Sequence, residues 1–466
     1  MTTSPKGLFI KTYGCQMNVY DSERMADVLK PLGFVEVDSP EKAQLIVLNT
    51  CHIREKATEK VFSELGQIRR LKDEGDGDVT IAVAGCVAQA EGEEIIRRQP
   101  AVDIVVGPQS YHKLPEMLAK TSRSIKDRLE TDFAVADKFG AFSKIRDVKG
   151  PSAFLSVQEG CDKFCTFCVV PYTRGAEYSR SAADILTEAE GLVGQGVCEI
   201  VLVGQNVNAW HGVSGSLSEG GRRDQTEWDL GRLIRRLGQI DGLKRLRYTT
   251  SHPRDMNDSL ITAHREVDSL APFLHLPVQS GSDAILKAMN RGHSVRDYLH
   301  IIDRVRRARP DMSFASDFIV GFPGETDADF EGTLSLVREV GYSQSYAFKY
   351  SPRPGTPASD MDEEVEEAVK EERLSRLLTE ISRQSRAFNL TMVGSTLQVL
   401  FTRRGKSEGQ ALGYSPHMQP VHVDGAEALI GRLCEVRVIA ATGTSLSGRL
   451  LEETNSGRAD FIEART

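Results

Sequence analysis

Three cysteines in the middle of the chain lie on one short loop, where together they can hold a metal cluster. They are Cys161, Cys165 and Cys168, with the spacing C-x3-C-x2-C. Three thiolates on so short a loop can bind three irons of a four-iron cluster and leave the fourth iron without a protein ligand. An iron with an open position can bind a small chelating molecule, which a closed four-cysteine site cannot do. The spacing therefore predicts a reactive iron–sulfur cluster.

Zinc is the alternative metal for the same loop. Structural zinc usually has four ligands, often taken from C-x2-C pairs. The nearest downstream histidine is His211, which follows a predicted helix and a predicted strand. The ligand count favours a cluster over zinc, and chance clustering of the thiols is the remaining alternative.

Three further cysteines, Cys15, Cys51 and Cys86, each follow a predicted strand near the N-terminus. Helical segments separate these strands, so the pattern predicts βαβ units and a parallel sheet. The carboxyl ends of parallel strands meet at one edge, where ligands bind, so we expect the three thiols to share a site. A second iron–sulfur cluster with its own open iron is our hypothesis, and three separate core thiols are the alternative.

Six predicted strands alternate with helices in the central part of the chain, which indicates a partial parallel (βα)6 barrel. Active sites of such barrels lie at the carboxyl ends of the strands. Polar residues follow several of these strands, and we expect them at one mouth above the cysteine loop. Ordinary loop residues that bond to backbone, and a structural histidine, are the alternatives. The candidates are Gln205, Asn206, Ser251, His252 and Gln279.

Length and composition set limits on the class of protein. The 466 residues allow several domains, and 40% hydrophobic with 27% charged residues indicates neither disorder nor a membrane protein. The N-terminus has no secretory pattern, so we expect a cytoplasmic protein without a membrane partner. Eight cysteines in such a chain favour metal binding or catalysis over disulfides. The net charge of −8 requires that any RNA-binding site be a local basic face.

Changes of pattern along the chain divide it into five parts. We expect an N-terminal parallel α/β domain, a polar linker without chemistry, the barrel, a small antiparallel β-barrel and a frayed tail. Arg403, Arg404 and Lys406 form a basic turn in the last barrel that is suited to phosphate, although a solvated loop is an equal alternative. The boundaries are 6–121, 122–148, 149–383, 384–452 and 453–466.

The chain resembles the radical S-adenosylmethionine (SAM) methylthiotransferases over nearly its whole length, and its last barrel resembles the TRAM domain, an RNA-binding module. The resemblance depends on short motifs. They are Thr-Tyr-Gly-Cys-Gln-Met-Asn-Val-Tyr-Asp-Ser-Glu (12–23), Asn-Thr-Cys (49–51), Ala-Gly-Cys (84–86), Cys-Thr-Phe-Cys-Val-Val-Pro-Tyr-Thr-Arg-Gly (165–175), Gly-Gln-Asn-Val-Asn-Ala-Trp (204–210), His-Leu-Pro-Val-Gln-Ser-Gly-Ser (275–282) and Tyr-Ser-Pro-Arg-Pro-Gly-Thr-Pro-Ala (350–358).

The resemblance implies two [4Fe-4S] clusters, one on each cysteine trio, and SAM bound at the open iron of the loop cluster. It places Phe167 near the adenine of SAM and assigns residues 173–180 a part in SAM binding, with Glu177 and Arg180 as candidates. Many members of the family have Glu where this chain has Ala176, which puts a role for that position in doubt. The polar residues that follow the barrel strands are the other candidates for contact with SAM.

The activity implied by the resemblance is insertion of sulfur and a methyl group at carbon 2 of N(6)-isopentenyladenosine, next to the anticodon in tRNA. One SAM would generate a radical and a second would donate the methyl group, because that carbon–hydrogen bond is too strong for acid–base catalysis. An external electron donor, a sulfur source and a monomeric state are expected. Related substrates, threonylcarbamoyl-adenosine in tRNA or a ribosomal protein aspartate, are alternatives, as is a non-catalytic iron–sulfur RNA-binding sensor.

Overall fold

The computed structural model describes residues 5–51, 57–74, 79–120, 125–133, 138–140, 146, 148, 150–215 and 226–451. The chain divides into two compact units, Met1–Ile381 and Ser382–Thr466. The tail predicted from residue 453 onwards lies outside the described residues, as does part of the linker predicted at 122–148.

A six-stranded parallel sheet with alternating helices forms the first part of the chain, as its pattern predicts. Its strands, in the spatial order β2-β1-β3-β4-β5-β6, are β1 (Lys6–Thr12), β2 (Phe34–Glu36), β3 (Leu45–Thr50), β4 (Thr80–Gly85), β5 (Ile104–Val106) and β6 (Leu129–Glu130). Its helices are α1 (Gln16–Leu29), α2 (Ala57–Glu74), α3 (Cys86–Glu91), α4 (Glu93–Arg98), α5 (Leu114–Ala119) and α6 (Ile125–Arg128). The completely buried strand β3 lies inside the sheet, which explains its continuous apolar run.

Two three-stranded parallel sheets, β13-β10-β7 and β14-β15-β16, form the partial barrel. The strands of this region are β7 (Ser152–Ser156), β8 (Gln158–Glu159), β9 (Tyr178–Ser179), β10 (Glu199–Val203), β11 (His211–Val213), β12 (Glu227–Asp229), β13 (Arg245–Tyr248), β14 (Phe273–His275), β15 (Ser313–Val320) and β16 (Gln344–Lys349). The helices are α7 (Val170–Thr173), α8 (Ala182–Gly194), α9 (Leu230–Leu237), α10 (Asp258–Glu266), α11 (Asp283–Ala288), α12 (Val295–Ala308), α13 (Asp327–Val340) and α14 (Glu367–Thr391).

Local sequence signals fix the ends of the barrel helices. Ser294 and Thr326 begin α12 and α13 with capping boxes, in which each hydroxyl accepts from a backbone N–H three residues later. The apolar faces of these helices pack on the strands in one core. No helix within the described part of the chain is both long enough and apolar enough to cross a bilayer.

The second unit contains a closed five-stranded barrel with the neighbour order β17-β18-β19-β21-β20. Its strands are β17 (Thr396–Arg404), β18 (Ala411–Tyr414), β19 (Pro420–Val423), β20 (Leu433–Ala441) and β21 (Leu446–Leu450). Alternate side chains of these strands, including Val399, Phe401 and Val436, fill its interior. The α/β class, the partial parallel barrel and the small C-terminal barrel predicted from the sequence are thus confirmed.

Candidate active site

The loop of Cys161, Cys165 and Cys168, which we call the loop site, follows β8 and opens on a cavity of about 320 Å³ that all three cysteines line. The loop begins at Gly160, whose φ of 73° and close approach to the Ala176 carbonyl leave no room for a Cβ. Burial raises the pKa of Cys161 to about 11 and that of Cys168 to about 12. These thiols are therefore protonated unless a metal displaces the proton.

Backbone and side chains that follow α11 hold this loop in place. The amide of Thr166 donates to the Met289 carbonyl (3.1 Å). Asn290 Nδ2 donates to the Phe164 carbonyl (3.0 Å), and the guanidinium of buried Arg291 donates to Cys165 Sγ (3.4 Å). These contacts hold the loop in a defined conformation.

The polar residues predicted from the strand ends converge on this cavity. Three of their buried polar atoms, Asn206 Oδ1, Ser251 Oγ and His252 Nε2, have no hydrogen-bond partner among the described residues. Buried polar atoms normally have a partner, so such a set indicates a ligand that supplies one. The predicted residues that line the cavity are Phe167, Gln205, Asn206, Ser251, His252 and Gln279.

The imidazole of His252 is neutral and its proton can be placed. Burial, reinforced by the charge of Arg291, holds the pKa of His252 far below its usual value. Its Nδ1 accepts from the Arg254 amide at 3.2 Å, so Nε2 carries the proton in the neutral ring. His252 therefore offers a donor to an acceptor in the cavity.

Backbone strain is concentrated at the same place. Thr250 and Gln279 line the cavity and have φ values of 67° and 81°. A positive φ is costly for residues other than glycine, above all for a β-branched threonine, and it persists where the surrounding structure enforces it. Strain of this kind is typical of a ligand site.

The strand-end cysteines Cys15, Cys51 and Cys86, which we call the strand-end site, also meet. A hydrogen bond with Cys51 lowers the pKa of Cys15 to about 6, against the opposing effect of burial. Gly14 makes this contact possible, because at its φ of 104° a Cβ would lie 2.7 Å from Cys51 Sγ. Burial raises the pKa of Cys86, and the nearby charges of Arg174 and Cys15 act on it as well.

The thiols do not converge as ligands of a single ion. Within the described residues, no three or more His, Cys, Asp or Glu side chains form a group that could hold one metal ion. A four-iron cluster needs a wider spacing, because each thiolate binds a different iron. All eight cysteines lie among the described residues as free thiols.

Family models match three stretches of the chain. Residues 7–107 match the Uncharacterized protein family UPF0004, residues 155–337 match the Radical SAM superfamily and residues 390–451 match the TRAM domain. The tRNA-2-methylthio-N(6)-dimethylallyladenosine synthase of Maricaulis maris (strain MCS10) is 57% identical over 452 residues, which are 97% of this chain and 98% of that protein. The chain belongs to the radical SAM methylthiotransferases. It is an enzyme, and the non-catalytic sensor alternative is wrong.

Solved structures agree with this membership at the level of fold. The radical SAM methyltransferase TsrM of Kitasatospora setae, with cobalamin and a [4Fe-4S] cluster bound, has a TM-score of 0.53 at 14% identity and covers 77% of this chain and 74% of its own. Its form with tryptophan and aza-SAM has a TM-score of 0.55 at 15% identity, with coverages of 76% and 75%. At these identities the likeness shows the fold alone.

The methylthiotransferase cavity fits the cofactors that radical SAM membership implies, a [4Fe-4S] cluster and SAM. Three thiols line one side, and the partnerless atoms of Asn206, Ser251 and His252 offer both donors and acceptors for an amino acid moiety. Phe167 lines the cavity and packs against a buried cluster that includes Phe322 and Tyr350. Its position suits contact with an adenine ring.

Two residues predicted to bind SAM do not line the cavity. The methylthiotransferase has Arg180 buried elsewhere, where it donates to Glu188 Oε2 (2.7 Å) and to the Ser156 carbonyl (2.6 Å). These bonds satisfy its charge and hold its side chain outside the cavity lining. Glu177 lies close enough to Cys161 to affect its pKa, but its carboxylate faces His211 Nδ1 at 3.2 Å.

The sequence interpretation missed several residues that line the cavity: Lys163, Arg291, Asp317, Phe348, Lys349 and Arg353. Lys163 Nζ contacts Asp255 Oδ1 (2.8 Å), and Asp255 Oδ2 accepts from Asn206 Nδ2 (2.8 Å), so a chain of polar contacts fixes Asn206. Lys349 and Arg353 belong to β16 and the segment after it, so the strand-end rule that found Gln205 could have found them. Arg291 follows a helix and gave no such signal.

Two further observations concern the predicted linker and the predicted basic turn. The segment predicted as a linker without chemistry supplies Lys138, which is completely buried and paired with Glu159, and buried Arg146, paired with Glu188. In the predicted basic turn, Arg404 Nε pairs with Glu427 at 2.7 Å. The turn therefore has less free positive charge than its sequence indicates.

Proposed function

We propose that this methylthiotransferase inserts sulfur and a methyl group at carbon 2 of N(6)-isopentenyladenosine next to the anticodon in tRNA. The observation that carries the proposal is the 57% identity, over 97% of the chain, to a protein named tRNA-2-methylthio-N(6)-dimethylallyladenosine synthase. The match of residues 390–451 to the TRAM domain supports an RNA substrate. A tRNA substrate would place the enzyme in the cytoplasm. We also propose that the enzyme acts as a monomer.

We assign one [4Fe-4S] cluster to the loop site and a second to the strand-end site. When bound, these groups supply the electron that cleaves one SAM and the sulfur that enters the product, while a second SAM supplies the methyl group. The chain's own contribution is to hold and orient. Asn206, Ser251 and His252 would bind the polar end of SAM, and Phe167 its adenine. An external electron donor and a sulfur source complete the reaction.

The apolar part of the cavity favours a prenylated base. Val169, Ile319, Phe348 and Tyr350 line it, and Phe348 is 53% exposed in the free protein. An apolar wall stabilises a hydrocarbon substituent by removing it from water.

An anaerobic assay with three substrates tests the proposed function. The reconstituted enzyme is incubated with SAM and a reductant, together with prenylated tRNA, threonylcarbamoylated tRNA or ribosomal protein, and the products are identified by mass spectrometry. We expect the methylthio product from prenylated tRNA alone. Product from either of the other two substrates, with none from prenylated tRNA, would contradict the proposal while leaving the enzyme class in place.

Replacing Ser251 with alanine should weaken SAM binding about 10- to 100-fold, because a lost hydrogen bond to a charged group is worth about 1.5–3 kcal/mol. Equilibrium binding of SAM to the reconstituted protein measures the effect. Ser269→Ala is the matched control, since Ser269 Oγ is also buried without a partner among the described residues but does not line the cavity. Equal affinities of the two variants would remove Ser251 from the SAM site.

A further inference from the structure

The outer face of the C-terminal barrel carries two arginines on neighbouring strands. Arg437 of β20 and Arg449 of β21 are directly opposite each other in the antiparallel register of these strands. Both side chains are exposed, since Val436 and Val438 on either side of Arg437 take the positions that face the interior. Side chains directly opposite in such a pair have Cβ atoms about 5 Å apart, and like charges there repel each other. The barrel therefore presents two positive charges side by side on its surface.

Within the described part of the chain, neither of these arginines forms an ion pair with an acid. Glu435 presents its side chain on the same face, two residues before Arg437, but it is not paired with either guanidinium. By contrast, Arg404 in the predicted basic turn is bound to Glu427 at 2.7 Å. The free energy of a repulsive pair falls when an anion binds between its two members. The pair is therefore suited to an anionic ligand.

Uncharged side chains that can form hydrogen bonds flank the two arginines. Thr396 of β17 is opposite Arg437 on its other side, and Gln398 follows two residues later on the same face. Ser447 of β21 lies two residues before Arg449 on the same face. Hydroxyl and amide groups of this kind join arginines in contacts with the phosphate oxygens of nucleic acids. We call these residues the arginine face: Thr396, Gln398, Arg437, Ser447 and Arg449.

The chemistry of the arginine face favours the phosphate backbone of RNA. A guanidinium is a planar fork that can donate two parallel hydrogen bonds to one phosphate group. The chain as a whole has a net charge of −8, so a polyanion can bind only where positive charge is locally concentrated. The five side chains of the face are all polar, whereas protein interfaces depend on buried apolar anchors. A nucleic acid therefore fits this face better than a protein partner does.

We infer that Arg437 and Arg449 bind the phosphate backbone of the substrate tRNA, and that the arginine face, rather than the turn of residues 403–406, is the RNA contact of the second unit. The inference rests on the proposed function, because it requires a tRNA substrate. Contacts to the backbone carry no information about the bases. The arginine face therefore contributes affinity for tRNA in general and leaves the choice of the modified base to the cavity.

Equilibrium binding of tRNA to the full-length protein, measured over a series of salt concentrations, tests the inference. Arg437→Gln and Arg449→Gln should each weaken binding about three- to tenfold and lower the slope of log affinity against log salt by roughly 0.7–0.9. The loss should be equal for tRNA with and without the prenyl group. Glu435→Gln should strengthen binding, because it removes the acid from the same face. Arg404→Gln, which loses the same charge from the same barrel, is the matched control and should have little effect.

Thermal unfolding without RNA separates a ligand site from a structural pair. Loss of one of two like charges should leave the midpoint unchanged or raise it, so a lower midpoint in both glutamine variants overturns the inference. Unchanged tRNA affinity in these variants overturns it too, as does an equal loss in Arg404→Gln. The proposed function fails separately, if the wild type binds tRNA through both arginines but makes no methylthio product from prenylated tRNA.

Discussion

Replacing Cys15 with alanine is expected to abolish the methylthio product while leaving the cleavage of SAM to deoxyadenosine intact. Cys15 contacts Cys51 at the strand-end site and does not line the cavity beside the loop cysteines. Its loss should remove one cluster and spare the other. Iron and sulfide should fall from about eight to about four of each per chain. Mass spectrometry of nucleosides and deoxyadenosine from one reaction reports both activities.

Cys198→Ala is the control for this experiment. Cys198 is a partly buried thiol that donates to the Pro151 carbonyl at 3.5 Å, and it does not line the cavity. Its replacement should change neither iron content nor either product. If Cys15→Ala also ended SAM cleavage while the loop cluster stayed intact, separate roles for the two cysteine sites would have to be abandoned.

The pattern of apolar residues, which predicts the strands, and the places of three cysteines after those strands were enough to predict that the cysteines lie at one edge of the sheet. Cys15, Cys51 and Cys86 are far apart in the chain, but each follows a strand of one parallel sheet, and the pairing of β1, β3 and β4 brings those ends together. The same rule brought Gln205 and Ser251 to the cavity. A strand end in a parallel sheet is a position that the fold fixes, so local patterns suffice to find it.

Side-chain direction after a turn could not be predicted in the same way. Arg180 lies close in sequence to the cysteine loop, but its amide bonds to the Val157 carbonyl and its side chain is turned to Glu188. Asp21 and Arg174 form a buried pair across 153 positions. Neither outcome follows from periodicity, because the partner of a buried charge is set by tertiary packing. The motif that contains Arg174 is visible in the sequence, but the pairing of Arg174 with Asp21 is not.

Short edge strands are the other feature that the sequence pattern did not predict. The edge strands β2 and β6 have three and two residues, and neither was predicted. Such segments are too short to show alternation, and they exist only because a longer neighbour supplies the hydrogen bonds. The strand β6 and the buried Lys138 both lie within the segment that the sequence predicts as a linker.

Replacing Cys165 with alanine is expected to abolish both SAM cleavage and methylthio product. Cys165 is the buried member of the loop trio and the acceptor of the Arg291 guanidinium. Its loss leaves two thiolates at the loop site, which are too few for a cluster with one open iron. It also takes an acceptor away from the buried guanidinium of Arg291. About four irons per chain should remain, at the strand-end site. Deoxyadenosine and nucleoside mass spectrometry should both return to background.

The comparison of Cys165→Ala with Cys15→Ala separates the two sites more sharply than either variant alone. Both proteins should bind about half of the wild-type iron, so iron content cannot explain a difference between their activities. The expected difference is that only the protein with intact loop cysteines cleaves SAM. Deoxyadenosine formation by Cys165→Ala at the wild-type rate would show that SAM is cleaved without the loop cluster. The assignment of SAM to the cavity beside Cys161 and Cys168 would then be wrong, whatever the substrate of the enzyme.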